Sequence, residues 1–318
     1  MAEFVRITDV SPRDGLQNEP GIIPTSEKVR LVELLCRTGV DEVEVTSFVS
    51  AKWVPQLGDG ERVFAQLQEP GPSARGLPHP VFSALVPNER GMQAALDCNR
   101  AAHKNLIEKV SVFTAASETF CRKNTNATIA ESLDRFRPVV AAAHGSGLKV
   151  RGYISCVIAC PFEGPIAPEA VARVAKQLMD LGVDEVDYGD TIGAGTAENT
   201  AAMLREVSRE VPIEKGRAAT TLHLHDTFGR ASECVRAALD LGVRSFDGSV
   251  AGLGGCPYAS STLPDGTVRR APGNISTDLL VRTIHEAGYR TNLNLDSLAQ
   301  AASFAREIVA KSRAGGGG

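Results

Sequence analysis

Short runs rich in Val, Ile, Phe and Thr recur along the chain. Each is followed by a longer stretch in which apolar positions return every three or four residues, the pattern of repeated β/α units. Eight strand-like runs can be traced, beginning near Val5 (VRITDV), Glu42 (EVEVTS), Pro80 (PVFSALV), Glu108 (EKVSVF), Leu148 (LKVRGYIS), Asp184 (DEVDYG), Thr220 (TTLHLH) and Arg244 (RSFDGSV). Helical periodicity covers 26–38, 129–145, 167–181, 197–209 and 229–241 and, after the last strand, 276–287. Ser26 and Thr196 read as caps, with Lys28 to Glu33 and Glu198 to Glu206 as solvated faces. Three helices end in a Gly-Val pair, at 39–40, 182–183 and 242–243, where glycine in the left-handed conformation stops the helix. The repeated join predicts a closed (β/α)₈ TIM barrel in preference to a doubly wound open sheet.

Two segments break the regularity. Residues 68–79 are rich in Pro and Gly and read as a surface loop, while 260–273 carry a Pro-Asp-Gly turn with a short hairpin around it, an enlarged loop after strand eight. Helices beyond the barrel complete a single catalytic domain over 1–310, and the Gly-rich residues 311–318 read as a disordered tail.

Composition narrows the function classes. Against 38 acidic side chains the chain sets 34 basic ones, a net charge of −4, which argues against a nucleic-acid partner. The longest apolar runs, such as 138–143, fall far short of the roughly 18 residues of a membrane span, and the N-terminus carries no export-like pattern, so a soluble, cytoplasmic protein is expected. Seven cysteines, an odd number, are scattered through a chain large enough to need no covalent staples, and read as free thiols in a reducing compartment. Six read as small core hydrophobes. Cys256, in AGLGGCPYA, differs because the surrounding glycines present its thiol on a loop.

Polar residues gather where barrel strands end, the face on which this fold places its chemistry. Asp9, Arg13 and Asp14 follow strand one, and Glu44, Thr46 and Ser47 lie on strand two. Strand five offers Arg151, Tyr153 and Ser155, strand six Asp187 and Asp190, and strand seven His223, His225 and Asp226. Two histidines two apart on a strand point to the same side, and Asp14 approaches them when the barrel closes. That His/His/Asp set suits a divalent cation with positions left open for substrate. Glu44, flanked by valines, needs a cation, for which Arg13 is the natural partner. Gly193–Thr196 form either an amide cradle for an anionic group or a simple left-handed turn.

These residues lie in motifs that resemble a known family: SPRDGLQNE (11–19), EVTSFVSAKWVPQLGD (44–59), AASETFCRKN (115–124), RGYISC (151–156), YGDTIGAGT (188–196), LHLHDTFG (222–229) and GLGGCPYA (252–259). Over about 5–305 the chain resembles the 3-hydroxy-3-methylglutaryl-CoA lyases of the DRE-TIM metallolyase superfamily. The resemblance implies a (β/α)₈ barrel that binds Mg²⁺ or Mn²⁺ through Asp14, His223, His225 and Asn274. It further implies catalytic roles for Arg13, Glu44, Asp190 and Cys256, and a substrate-binding set of Arg13, Gln17, Ser47, Tyr153 and Thr191. It implies an acyl-CoA substrate, a homodimer, and a place in leucine degradation and ketone-body formation. Three positions depart from the family pattern. Asp9 and Asp278 stand where the family has Glu, and Cys256 and Asn274 are 18 apart, roughly twice the family's spacing. The enlarged loop admits a related 3-hydroxy-3-alkylglutaryl-CoA as substrate, and a Claisen-condensing acyltransferase of the same superfamily is a further alternative.

Overall fold

A computed structural model describes residues 2–67, 79–213, 220–255, 261–262, 268–269 and 273–315. The strands are β1 (Arg6–Asp9), β2 (Glu42–Ser47), β3 (Val81–Leu85), β4 (Lys109–Ala115), β5 (Lys149–Ser155), β6 (Ala159–Cys160), β7 (Gly164–Pro165), β8 (Glu185–Asp190), β9 (Thr220–Leu224), β10 (Ser245–Gly248), β11 (Ser261–Thr262) and β12 (Val268–Arg269). The helices are α1 (Thr25–Cys36), α2 (Gly60–Gln66), α3 (Glu89–Ala101), α4 (Glu118–Thr125), α5 (Ile129–Gly145), α6 (Pro168–Leu181), α7 (Ala197–Val207), α8 (Ala231–Asp240), α9 (Thr277–Glu286) and α10 (Leu295–Gly315). Eight parallel strands close a barrel in the order β1-β10-β9-β8-β5-β4-β3-β2, so each expected strand is present and the closed form of the fold is the one adopted.

Period-two alternation sorts the barrel into two cores. Ile7, Val43, Val150, Ile154, Val186, Tyr188, Leu222 and Phe246 pack outward into the buried apolar layer shared with the helices. Their strand neighbours Thr8, Glu42, Glu44, Arg151, Tyr153, Asp187, His223 and Asp247 are also buried. These polar side chains fill the barrel with charge instead of the branched aliphatics usual in this architecture. The join glycines Gly39, Gly182 and Gly242 have φ of 85°, 95° and 96°, the left-handed stop read from their sequence.

Several local expectations are corrected. Pro24 precedes α1 and Ser26 lies inside its first turn, so Ser26 is no cap, whereas Thr196 caps α7 in a reciprocal pair with Asn199. Lys28 is buried rather than solvated, because its ammonium ion-pairs with Asp59 at 2.7 Å and bonds the Gln56 carbonyl. The helix α10 runs through 311–315, part of the stretch read as a disordered tail. Three residues hold it: Lys311 reaches Glu27 at 3.4 Å, buried Ser312 donates to the Gly21 carbonyl at 2.7 Å, and Arg313 clasps Glu19 with two bonds of 2.7 and 2.8 Å. The hairpin expected after the last barrel strand is β11–β12, paired antiparallel. The 68–78 loop, the Pro-Asp-Gly turn, Cys256 and residues 316–318 lie outside the described residues. No helix among those described is long and apolar enough to cross a membrane.

Candidate active site and metal centre

The site forms at the C-terminal ends of β1, β2, β8 and β9. After β1 the chain makes a π-type turn, Ser11–Gly15, in which the amides of Arg13, Asp14 and Gly15 converge on the Val10 carbonyl. Such turns carry an extra residue per winding and re-aim the side chains they bear. Here both Arg13 and Asp14 are brought over the barrel mouth. Arg13 donates from Nε to Glu44 Oε2 at 2.6 Å and from its NH1 nitrogen to Asp14 Oδ1 at 2.7 Å, confirming the partner expected for Glu44. Burial opposes the charge on Asp14, but Arg13 and the two histidines hold its carboxyl down at about 2.

Asp14, His223 and His225 place one ligand atom each within 4.8 Å of one another. His223 bonds Asp247 Oδ2 through Nδ1 at 3.1 Å, which leaves Nε2 for a metal. Burial and the neighbouring His223 drive His225 down to about 4 against the pull of Asp14 and a backbone hydrogen bond at Thr191, so its ring is neutral at pH 7. A neutral imidazole beside Asp14 and His223 keeps a lone pair for a cation.

Asn274 joins this group by main-chain pairing. It forms an antiparallel bridge with His225, flanked by Ile275 N–H to Leu224 C=O and Asp226 N–H to Gly273 C=O, both 2.9 Å. Its amide N–H groups are spent on Asp14 Oδ2 at 2.8 Å and the Leu253 carbonyl at 2.9 Å, so Oδ1 is the atom it could offer a cation. The pairing with β9 fixes Asn274 whatever the length of the loop before it.

Gly254 is what lets that loop approach. Its φ is 99°, and a Cβ there would stand 2.6 Å from Asn274 Nδ2 and 3.1 Å from Asp14 Oδ2. Gly254→Ala is therefore expected to weaken Mn²⁺ binding about 10–100-fold, the range for disturbing groups that orient metal ligands. Calorimetric titration of the folded variant measures it, and an unchanged affinity would show that the loop gives way instead.

Charge accounting points the same way. Hydrogen bonds and ion pairs join Asp14, Arg13, Glu44, Tyr153, Arg151, Asp247, Asp187, Glu42, Glu185, Lys109 and His223 into one network. It holds six carboxyl groups against three Arg or Lys side chains, an acid-rich interior that favours an added cation, although burial and the adjacent Asp247 push the Asp187 carboxyl well up. The second compact set, Asp187, His223 and Asp247, already has its cation, because Arg151 NH1 lies 3.2 Å from Asp247 and 3.5 Å from Asp187.

The profile of the HMGL-like family matches residues 4–305. The chain belongs to the HMGL-like family. The Danio rerio cytoplasmic 3-hydroxy-3-methylglutaryl-CoA lyase is 46% identical over 95% of this chain and 82% of its own. The crystal structure of the HMG-CoA lyase from Brucella melitensis superposes with a TM-score of 0.84 at 44% identity, covering 97% of this chain and all of the other. An Acinetobacter baumannii HMG-CoA lyase, solved with coenzyme A and 3-methylmalate, matches at a TM-score of 0.81 and 31% identity over 96% and 92% of the two chains.

Against this HMGL-like background the remaining site residues take distinct places. Gln17 reaches Asp14 Oδ1 at 3.4 Å. Tyr153 is committed inside the barrel, with its hydroxyl 3.2 Å from Glu44 and accepting from Arg151 at 3.1 Å. Ser47 Oγ accepts the Val49 amide, and Thr191 Oγ1 the Cys156 amide at 2.8 Å. Asp190 accepts the amides of Ala194 and Gly195 at 3.0 and 2.7 Å, so the anion in the 193–196 cradle is the chain's own carboxylate. Asp9, shorter than the family's Glu, is a clamp. It accepts from Ser11 (N–H and hydroxyl), the Val250 amide and the Thr277 hydroxyl, tying the end of β1 to the chain after β10 and to α9. Asp247 was not singled out from sequence. It is an isolated carboxylate in an apolar strand, the signal that marked Glu44.

Proposed function

We propose that this chain is a metal-dependent carbon–carbon lyase that cleaves (S)-3-hydroxy-3-methylglutaryl-CoA to acetyl-CoA and acetoacetate, with Mg²⁺ or Mn²⁺ held by Asp14, His223, His225 and Asn274. The observation that carries this reading is the Asp14, His223 and His225 cluster at the barrel mouth, with Asn274 beside it and a buried acid-rich network below, in a member of the HMGL-like family. When bound, the cation supplies Lewis acidity, which favours loss of a proton from a substrate hydroxyl and orients it.

The chain's own groups account for the rest of the reaction. Asp190 takes the tertiary hydroxyl proton, the C2–C3 bond breaks, and the hydroxyl oxygen becomes the ketone of acetoacetate. The electron pair passes to the acetyl thioester as an enolate, whose oxygen faces the Arg13 guanidinium. Cys256 returns a proton to C2 to give acetyl-CoA. Glu44 and Tyr153 keep Arg13 in place, and Gln17, Ser47 and Thr191 border the acyl group.

The test is release of acetyl-CoA and acetoacetate with Mn²⁺, with Mg²⁺ and with EDTA. Metal-dependent turnover is expected, lost in Cys256→Ala. A folded, metal-loaded protein that leaves this substrate intact but cleaves a longer 3-alkyl analogue would move the assignment to that relative. A homodimer in the cytoplasm belongs to the same reading and is checked by light scattering and cell fractionation.

Burial raises Asp190 to about 6 against the pull of its two amide donors. A base must be ionised, so kcat/KM is expected to climb with pH through an inflection near 6 and to level above it. In Asp190→Asn the rate should fall about 10²–10⁴-fold, the usual worth of a positioned base, and the inflection should vanish. A variant that keeps the inflection would assign the base elsewhere.

A further inference from the structure

Among the buried groups that the proposed chemistry leaves unused, Asp247 stands out by its connections. It sits at the centre of the barrel on β10, in register with His223 on β9. Its side chain is about 1% exposed and meets His223, Tyr153 and Arg151, with the Asp187 carboxyl as a fourth neighbour. Oδ2 lies 3.1 Å from His223 Nδ1 and 3.4 Å from the Tyr153 hydroxyl, while Oδ1 accepts from Arg151 at 3.2 Å.

Arg151 is itself fixed from below by Glu185 at 2.8 Å and by the Thr8 hydroxyl at 3.0 Å. Lys109 links Glu185 to Glu42 at the barrel floor, at 2.7 and 2.5 Å. The carboxylate therefore cannot swing away from the imidazole without breaking bonds to two groups that are themselves anchored. A carboxylate accepting at Nδ1 keeps the proton on that nitrogen and the lone pair on the other.

We propose that Asp247, held by Arg151 and Tyr153, is a positioning residue that fixes the ring and tautomer of His223 so that Nε2 is presented to the metal. The inference rests on the metal-site reading above and deepens it. Asp247 touches neither substrate nor metal. Its contribution is preorganisation: without it the imidazole can rotate about its side-chain bonds and exchange tautomers, and each metal-binding event must freeze both.

The experiment uses the full chain labelled with ¹⁵N-histidine, with His223 assigned from a His223→Gln spectrum. It compares wild type, Asp247→Leu and Asp247→Asn, reading ring ¹⁵N shifts in the metal-free protein and Mn²⁺ affinity by electron paramagnetic resonance. Burial opposes charge on His223 but Asp247 and Asp14 hold its proton more tightly than usual, so spectra are taken at alkaline pH, where wild-type His223 is expected as a single neutral Nδ1–H form. Asp247→Leu should show mixed tautomers and about 10–100-fold weaker Mn²⁺ binding, the range for lost outer partners of metal-bound histidine. Asp247→Asn keeps an acceptor oxygen, so it should hold the Nδ1–H form and lose only several-fold in affinity. Because removing the charge beside Arg151 can unfold the Leu variant, the Asn variant also decides alone: its Nδ1–H resonance must shift upfield, and affinity must drop several-fold.

Unchanged ring shifts and unchanged affinity in a folded variant would overturn the proposal while leaving the metal site standing. Wild type that binds no Mn²⁺ would remove the metal reading and this inference together. Activity at saturating Mn²⁺ adds a third readout, since a positioning role predicts that excess metal restores much of kcat.

Discussion

Replacing Arg13 by methionine is expected to lower kcat/KM by about 10³-fold, the upper range for removing one group that stabilises developing negative charge. The same change should leave Mn²⁺ affinity intact or raise it. Arg13 is the only cation bridging Asp14 and Glu44 among the described residues, and its guanidinium also lies 5.4 Å from the centre of the Tyr153 ring. The donor to Asp14 Oδ1 competes with a metal for that carboxylate. Withdrawing it makes Asp14 a more available ligand even as the enolate loses its counter-charge. Glu44, wholly buried, is left with only the Tyr153 hydroxyl against Oε2. Stability should therefore fall by about 3–5 kcal/mol in the metal-free protein, the cost of unpairing a buried ion, and be partly recovered when Mn²⁺ binds. Kinetics, calorimetry and thermal melts on one preparation give all three. Arg13→Lys sharpens the result: a point charge on a flexible stem cannot span both carboxylates, so it should keep more of the fold than of the rate. Activity within tenfold of wild type in the methionine variant would reduce Arg13 to scaffolding.

How much of this could be read beforehand depends on range. The eight strands and the helices between them follow from local periodicity, and left-handed glycine stops mark three of the joins, so the barrel was visible in the chain alone. The metal set was partly visible for the same reason. His223 and His225 share a strand face by alternation, and Asp14 sits in the turn after β1. Asn274 came only from family resemblance, because what places it is pairing with His225 across a segment whose partner no local pattern reveals. The charged interior was half seen. Glu44 and Arg151 were noted, but Lys109, Glu42, Glu185 and Asp247 were not, since attention to strand ends passes over residues at the barrel floor and middle. Two roles stayed open because each carboxylate or amide was considered without its neighbours. The 193–196 amides read either as an anion cradle or as a left-handed turn, and Asp190, four and five residues from the amides it accepts, fills the place. Asp9 was seen as one of the polar residues after strand one, whereas it is saturated by four donors from three parts of the chain. The end of α10 was lost to composition, since a run of glycines at the terminus hides the Ser312 and Arg313 contacts just before it.

His225→Leu should separate what the metal does from what the histidine does. In the metal-free protein its ring is desolvated beside His223, and burying a polar ring costs free energy that one backbone hydrogen bond at Thr191 only partly offsets. Leucine of similar bulk removes that cost, so the metal-free variant is expected to melt at or above the wild-type temperature. Metal reverses the order. At a free Mn²⁺ concentration about 100-fold above its dissociation constant, wild type gains about 2.7 kcal/mol, or roughly 5 °C for a chain of this size. The variant, left with Asp14, His223 and Asn274, should show almost no shift at that concentration and no measurable lyase turnover. The crossing of the two melting curves on adding Mn²⁺ is the diagnostic, because a histidine that only packs would lower both curves together. A variant that still shifts by the full amount would place the ion elsewhere in the barrel mouth.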